Sequence, residues 1–188
     1  MNILLLDNYD SFTYNLVHIL REMELPLDVR RNDKIELGEV ANYDAIILSP
    51  GPGVPRDAGL MPNIIERYAG KIPMLGICLG HQAIAEFLGA QLVNMSKVYH
   101  GVRTPIFHSG QSVIFQGVPQ QFEAGRYHSW MVDTKNLPPE ITVTARDSHG
   151  DIMAFSSGKM HGLQFHPESI MTDEGPRMVK NFIDNVRT

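Results

Sequence analysis

The sequence predicts an α/β protein, with an open, mainly parallel sheet flanked by helices and additional antiparallel strands. Three observations carry that expectation. Short apolar runs, each closed by a polar or glycine-rich break, recur through the first half of the chain. Segments with apolar residues spaced by three and four lie between them. After Ala90 the helical spacing gives way to short strand-like runs separated by turns.

Ile3-Leu4-Leu5-Leu6, ended by Asp7, fits a strand buried on both faces. Residues 11–23 place Leu16, Ile19, Leu20 and Met23 on one helical face, with Asp10 or Ser11 available as a cap. Residues 27–31 and Ala45-Ile46-Ile47-Leu48 read as the next two strands, the latter stopped by Ser49-Pro50-Gly51-Pro52-Gly53. A helix after Gly59 uses Met61, Ile64, Ile65 and Tyr68. Met74-Leu75-Gly76-Ile77, introduced by Pro73, is a fourth strand, and residues 82–88 form a helix ending at Gly89. This alternation argues for helices on both faces of a parallel sheet, joined by right-handed crossovers.

In the second half, residues 91–93, 113–115, 130–132, 141–145, 152–155 and 160–165 read as strands, with a hairpin turn at residues 147–151. A last helix over residues 176–187 puts Met178, Val179, Phe182, Ile183 and Val186 on one side. No repeat, low-complexity tract or linker intervenes. One domain over residues 1–188 is expected, a length that can bury a sizeable core.

Hydrophobic residues make up 43% and charged residues 20%, as in ordinary globular proteins. A formal net charge of −5 without a Lys/Arg run argues against a nucleic-acid partner. No stretch approaches the ~18–20 apolar residues of a membrane span, and the start lacks the basic region of a signal peptide. A cytoplasmic location is expected. The single cysteine excludes a disulfide framework within the chain and a Cys-rich zinc site.

That cysteine is either a small buried hydrophobe or a reactive group, and its neighbours favour the second. Gly76-Ile77-Cys78-Leu79-Gly80 sits between an apolar strand and a helix, the pattern of a nucleophile elbow with Cys in place of Ser. The elbow would put the thiol at a helix N-terminus, where the dipole favours thiolate. It would also leave the Leu79 N–H facing a developing oxyanion. A cysteine nucleophile needs a base and an orienting group. His166-Pro167-Glu168 follows a strand-like run, and in extended backbone residues two apart point the same way. His166 and Glu168 are therefore candidates for those roles, against the plainer reading of a solvated loop histidine. The loop ending in Gly53 is a tight turn or a donor of backbone N–H groups to a ligand. It lacks the Gly-Lys-Ser/Thr of a phosphate loop and the Gly-x-Gly-x-x-Gly of a dinucleotide site.

Together these motifs, with Asp7-Asn8-Tyr9-Asp10-Ser11-Phe12 and Arg126-Tyr127-His128-Ser129, resemble the class I, triad-type glutamine amidotransferases over essentially the whole chain. Within that class the chain looks most similar to the small subunits of anthranilate synthase, with the glutaminase subunits of aminodeoxychorismate synthase as near relatives. Pro52-Gly53-Val54-Pro55 followed by Asp57-Ala58-Gly59 leans towards the anthranilate branch, because some folate-branch relatives carry cysteine at the position of Gly53.

The resemblance implies attack by Cys78 on the amide of L-glutamine, an oxyanion hole from the N–H groups of Gly53 and Leu79, and His166 as proton carrier oriented by Glu168. It implies glutamine contacts at Gly51, Pro52, Gly53, Gln82, Ser129 and Trp130. Trp130 departs from the leucine usual there, and is tolerable if the contact is through backbone. The resemblance also implies a larger, chorismate-binding synthase subunit as partner, with Mg²⁺ expected only in that partner and no metal or cofactor in this chain. Tyr9, Ser11, His100 and Tyr127 are candidates for the interface with it. Two other readings compete with this one: a non-catalytic module on this fold, against which the intact Cys78, His166 and Glu168 argue, and a stand-alone hydrolase of another amide or γ-glutamyl compound, against which the short chain speaks.

Overall fold

A computed structural model describes residues 1–187. Its framework is a nine-stranded sheet built from β1 (Ile3–Asp7), β2 (Leu27–Arg31), β3 (Ala45–Leu48), β4 (Met74–Ile77), β6 (Val102–His108), β7 (Gln121–Arg126), β9 (Thr142–Asp147), β10 (Ile152–Ser157) and β11 (Met160–Leu163). The strand order is β2-β1-β3-β4-β11-β10-β9-β6-β7, while β5 (Leu92–Asn94) and β8 (Trp130–Val132) pair separately. Strands β2, β1, β3, β4 and β11 run parallel. The remaining pairings in that sheet are antiparallel.

Strands β3 and β4 carry no polar side chain, and β1 none before Asp7, because the sheet is covered on both sides, the burial that continuous Leu/Ile runs require. On one face, Leu16, Val17 and Leu20 of α1 (Thr13–Arg21) and Met178, Val179 and Phe182 of α4 (Gly175–Val186) pack onto Ile3, Leu5 and Ile47. On the other, Met61, Ile64 and Ile65 of α2 (Met61–Tyr68) and Ala83 and Ile84 of α3 (Leu79–Phe87) pack onto Leu4, Leu6 and Ile46. Alternate residues of β1 thus face opposite layers, as the strand period requires. Among the described residues no helix is long and apolar enough to cross a membrane.

Several expectations need correcting. Residues 113–115 form a 3-10 turn, not a strand: the Ile114 N–H donates to Ser112 Oγ at 3.3 Å, and Asn181 Nδ2 on α4 donates to the carbonyls of Ile114 and Gln116 at 2.8 Å each. Ile114 and Phe115 are buried and Val113 is exposed, and the segment is held by α4 rather than laddered. Strands β6 and β7 were not anticipated, because Pro105 and the polar residues of β7 mask the alternation that their pairing creates. Neither Asp10 nor Ser11 caps α1; Asp10 Oδ1 accepts from the Phe12 N–H at 2.8 Å, ahead of the helix. Helix α3 begins at Leu79, three residues earlier than expected, because the chain turns into the helix directly at Cys78. The turn at residues 147–151 is present, with Asp147 Oδ1 accepting from the N–H groups of His149 and Asp151 at 2.9 Å.

Candidate active site

The site gathers at the C-terminal ends of three neighbouring parallel strands, the usual crevice of an open α/β sheet. The loop after β3 carries Ser49 to Gly53, the turn after β4 carries Cys78, and the segment after β11 carries His166 and Glu168. In the β4–β11 register Ile77 lies opposite Leu163, and the Cys78 N–H donates to the Leu163 carbonyl at 2.8 Å. The nucleophile and base candidates therefore leave the sheet side by side.

Cys78 has φ 51° and ψ −97°, a conformation that side-chain-bearing residues rarely adopt. The glycines around it make the turn possible. A Cβ on Gly76 would lie 2.4 Å from the Gly80 backbone, and one on Gly80 would lie 2.6 Å from the Leu48 carbonyl. A Cβ on Gly162, the cross-strand partner of Gly76, would lie 2.6 Å from His81 Nδ1. Helix α3 thus rises across glycines on two strands, which brings its N-terminus and the thiol to the strand ends.

His166 Nδ1 and Glu168 Oε1 are 2.6 Å apart, and both residues are buried, at 2% and 6% exposure. Phe12 and Tyr127 pack edge-on against the imidazole with centroids 5.3 and 4.8 Å away. The following segment is pinned in place: Thr172 Oγ1 donates to the His166 carbonyl at 2.7 Å and accepts from the Gly125 N–H at 3.0 Å. Burial pulls the His166 pKa down. The Glu168 carboxylate and the Cys78 sulfur outweigh it and hold the pKa well above its ordinary value. Glu168 occupies Nδ1, so Nε2 is the nitrogen left for the thiol. It has no hydrogen-bond partner at ordinary distance among the described residues, and such contacts commonly tighten only when substrate is bound.

A cavity of about 200 Å³ opens on Cys78 and is lined by Gly51, Pro52, Gly53, Leu79, Gln82, Tyr127, His128, Ser129 and Trp130. It is smaller than pockets for drug-sized ligands and suits a small amino acid. Every expected contact residue lines it, while His166 and Glu168 do not and sit buried. Leu79 is the first residue of α3, so its N–H has no partner within the helix. Gly53 stands at φ +74°, a conformation natural to glycine, and among the described residues nothing accepts from its N–H. Gly51 is small for packing: a Cβ there would lie 2.7 Å from both Asn8 Cβ and Leu79 Cδ2.

Gln82 is oriented by its surroundings. Its Nε2 donates to the Trp130 carbonyl at 2.9 Å and to Gln164 Oε1 at 3.2 Å, which leaves Oε1 for a ligand. Gln164 Nε2 in turn lies 3.8 Å from Cys78 Sγ. Gln164, Phe12 and Thr172 were not singled out from sequence; the first two lay within recognised motifs, but nothing in their type or spacing told of these contacts. Among the described residues no group of three or more His, Cys, Asp or Glu side chains could hold a metal ion.

A thiol on a strained strand-to-helix elbow, a buried His–Glu pair and two unengaged backbone N–H groups gather around one small cavity, an arrangement suited to nucleophilic attack on an amide. The family model described as "Glutamine amidotransferase class-I" matches residues 4–186, and the chain belongs to that family. It is 46% identical, over 98% of its length and 97% of the relative's, to an aminodeoxychorismate/anthranilate synthase component 2 of Bacillus subtilis. It is 44% identical to an anthranilate synthase component 2 of Cyanophora paradoxa, over 97% of this chain and 98% of the relative. The fold matches a solved glutamine amidotransferase of Thermotoga maritima with a TM-score of 0.78 at 22% identity, covering 100% of this chain and 82% of that one. The fold class and the family resemblance read from the motifs are thereby borne out.

Proposed function

We propose that the chain, acting as one domain, is a glutaminase subunit that supplies ammonia to a larger, chorismate-aminating synthase subunit. The observation that carries this reading is the juxtaposition of Cys78 with the buried His166–Glu168 pair behind a small cavity.

The geometry supports the following chemistry. With His166 protonated, the Cys78 thiolate attacks the side-chain amide carbon of L-glutamine. The oxyanion is held by the N–H groups of Gly53 and Leu79, each such donor being worth ~10²–10³ in rate. His166 gives its Nε2 proton to the departing nitrogen, ammonia leaves, and a γ-glutamyl thioester remains. Neutral His166 then takes a proton from water, the hydroxide attacks the thioester, and glutamate and the thiolate are released. Glu168 keeps the imidazole in one tautomer and stabilises its charged form. Glutamine is held by Gly51, Pro52, Gly53, Gln82, Ser129 and the backbone of Trp130.

We assign the partner to the anthranilate branch on the run Pro52-Gly53-Val54-Pro55 with Asp57-Ala58-Gly59. The second reading is the aminodeoxychorismate branch, or service in both, supported by the double name of the Bacillus subtilis relative. In either case Mg²⁺ belongs to the partner, this chain carries no cofactor, and both work in the cytoplasm. Tyr9, Ser11 and His100, all exposed, and Tyr127 at the cavity are proposed to contribute to the interface. The test is to purify the chain with its large subunit and measure glutamate release and the aromatic product from chorismate and glutamine. Glutamate release by wild type and none by Cys78→Ser is expected. Full activity in Cys78→Ser rules out the mechanism, and 4-amino-4-deoxychorismate as product moves the protein to the other branch.

A further inference from the structure

Beside the cavity lies a polar chain that the mechanism does not use. Asp147, anchored in the β9–β10 turn, accepts at Oδ2 from Arg126 Nη1 at 2.7 Å, and both residues are buried, at 5% and 1% exposure. The Arg126 guanidinium stacks on Tyr99, 3.7 Å from the ring centroid. Arg126 Nε lies 3.1 Å from His128 Nε2, and His128 Nδ1 lies 2.8 Å from the Trp130 carbonyl oxygen.

These contacts settle the tautomer of His128. Arginine is donor-only, so His128 Nε2 must accept, and the ring proton sits on Nδ1. That proton is donated to the Trp130 carbonyl, which already receives Gln82 Nε2 at 2.9 Å. Burial first, then the adjacent Arg126 charge, push the His128 pKa down to about 3, so the ring stays neutral at working pH.

The backbone of the segment is held by the same set of contacts. The Tyr99 N–H donates to the His128 carbonyl at 3.0 Å, and the Met95 N–H donates to the Ser129 carbonyl at 2.8 Å. The bond from Met95 extends the antiparallel β5–β8 register, in which Asn94 lies opposite Trp130. The C=O of Trp130 points to α3, where Gln82 Nε2 meets it, and the residue lines the cavity. Every carbonyl from residue 128 to residue 130 is engaged by the protein, so what the segment offers a ligand is N–H.

We infer that His128 is a positioning residue: with Gln82 it clamps the Trp130 carbonyl and so sets the direction of the Ser129–Trp130 backbone that recognises glutamine. This rests on the glutaminase reading above. His128 takes no proton from substrate or thiol; it acts through the main chain of Trp130.

The test uses the full chain and two labels for Cys78. A glutamine analogue with a diazoketone in place of the amide needs the recognition segment, whereas iodoacetamide needs only the thiolate. His128→Gln keeps an acceptor for Arg126 but places no donor at the Trp130 carbonyl. His128→Asn puts its amide nitrogen where Nδ1 was. The analogue concentration giving half-maximal labelling rate is expected to rise about 10-fold in His128→Gln, the value of one hydrogen bond, and to return to within about 3-fold of wild type in His128→Asn. The maximal labelling rate and the pH profile of iodoacetamide alkylation are expected to match wild type in both. His128→Leu gives the same loss by a second route should His128→Gln not fold. Equal half-maximal concentrations in all folded variants overturn the inference alone, as does failure of Asn to rescue. A shifted iodoacetamide profile makes His128 part of the acid–base chemistry and overturns it too. A wild type whose labelling does not saturate with the analogue removes the glutaminase reading, and the inference with it.

Discussion

Glu168→Gln isolates the charge on the group that orients His166. The amide has the shape of the carboxyl and can still accept from Nδ1–H, so the tautomer survives while the negative charge is lost. The two groups are 2.6 Å apart in a site from which water is nearly excluded, so little screening weakens the loss. An opposite charge at such range shifts a pKa by about 1–3 units, or about 1.4–4 kcal/mol. Of the groups that raise the His166 pKa, the Glu168 charge is the largest, and without it only the Cys78 sulfur opposes the effect of burial. The imidazolium–thiolate pair should therefore lose about 10- to 1000-fold of its population at neutral pH. The assay is the rate of Cys78 alkylation by iodoacetamide between pH 5 and 10, in units where an ordinary thiol titrates at about 8.5. The alkylation profile of Glu168→Gln is expected to lie at higher pH than that of wild type, because the imidazolium beside the thiol is lost at lower pH once the carboxylate charge is gone. Stability should follow the same linkage. Because the folded pKa of His166 is raised, the pair's contribution is complete below its unfolded pKa of about 6.5 and is lost as pH rises through the folded value. In the variant that loss shrinks. An alkylation profile and glutaminase rate within about 2-fold of wild type would refute the assignment of Glu168 as the charge that raises His166.

Two further predictions test the geometry. Cys78→Gly should be more stable to urea than Cys78→Ala by about 1 kcal/mol, the reverse of the usual order, because only glycine takes φ 51° without strain; alanine being the more stable of the two refutes a strained elbow. Gly175→Ala should cost about 1–3 kcal/mol or more and lower glutaminase activity, because its Cβ would fall 1.7 Å from the Pro167 carbonyl oxygen and push α4 off the His166–Glu168 segment. Gly150→Ala is the control: it has φ +86° and open space around it, so a loss of about 1 kcal/mol with unchanged activity is expected.

Much of this molecule is written locally. The central strands were legible because burial on both faces demands unbroken apolar runs such as Ala45-Ile46-Ile47-Leu48. The helices were legible because one buried face leaves a spacing of three and four, as in Met178, Val179, Phe182 and Ile183. Strands β6 and β7 were not, since exposed Val102, Arg103, Phe107 and Gln121 break up their apolar pattern and only their mutual register makes them a sheet. The run at residues 113–115 has strand-like composition, yet Asn181 of a distant helix engages the backbone carbonyls that a ladder would need.

The same division holds within the site. The amino-acid order made the elbow legible, because Gly76 and Gly80 flank Cys78 at a strand-to-helix turn, although the clearance of Gly80 from Leu48 and of Gly162 from His81 depends on the neighbouring strands. It also determined the pairing of His166 with Glu168, two positions apart in one short segment. What tertiary structure alone decided is that the elbow and the pair meet. Gln164 and Cys78 are 86 residues apart in the chain and come together because β11 inserts beside β4 in parallel, in a register set by long-range ladder bonds. It also decided how the Trp130 carbonyl is held, through a buried arginine, a histidine and a glutamine from separate elements. Local composition encodes what one turn or one face must be, while contacts between distant segments are settled only when the sheet closes and water leaves.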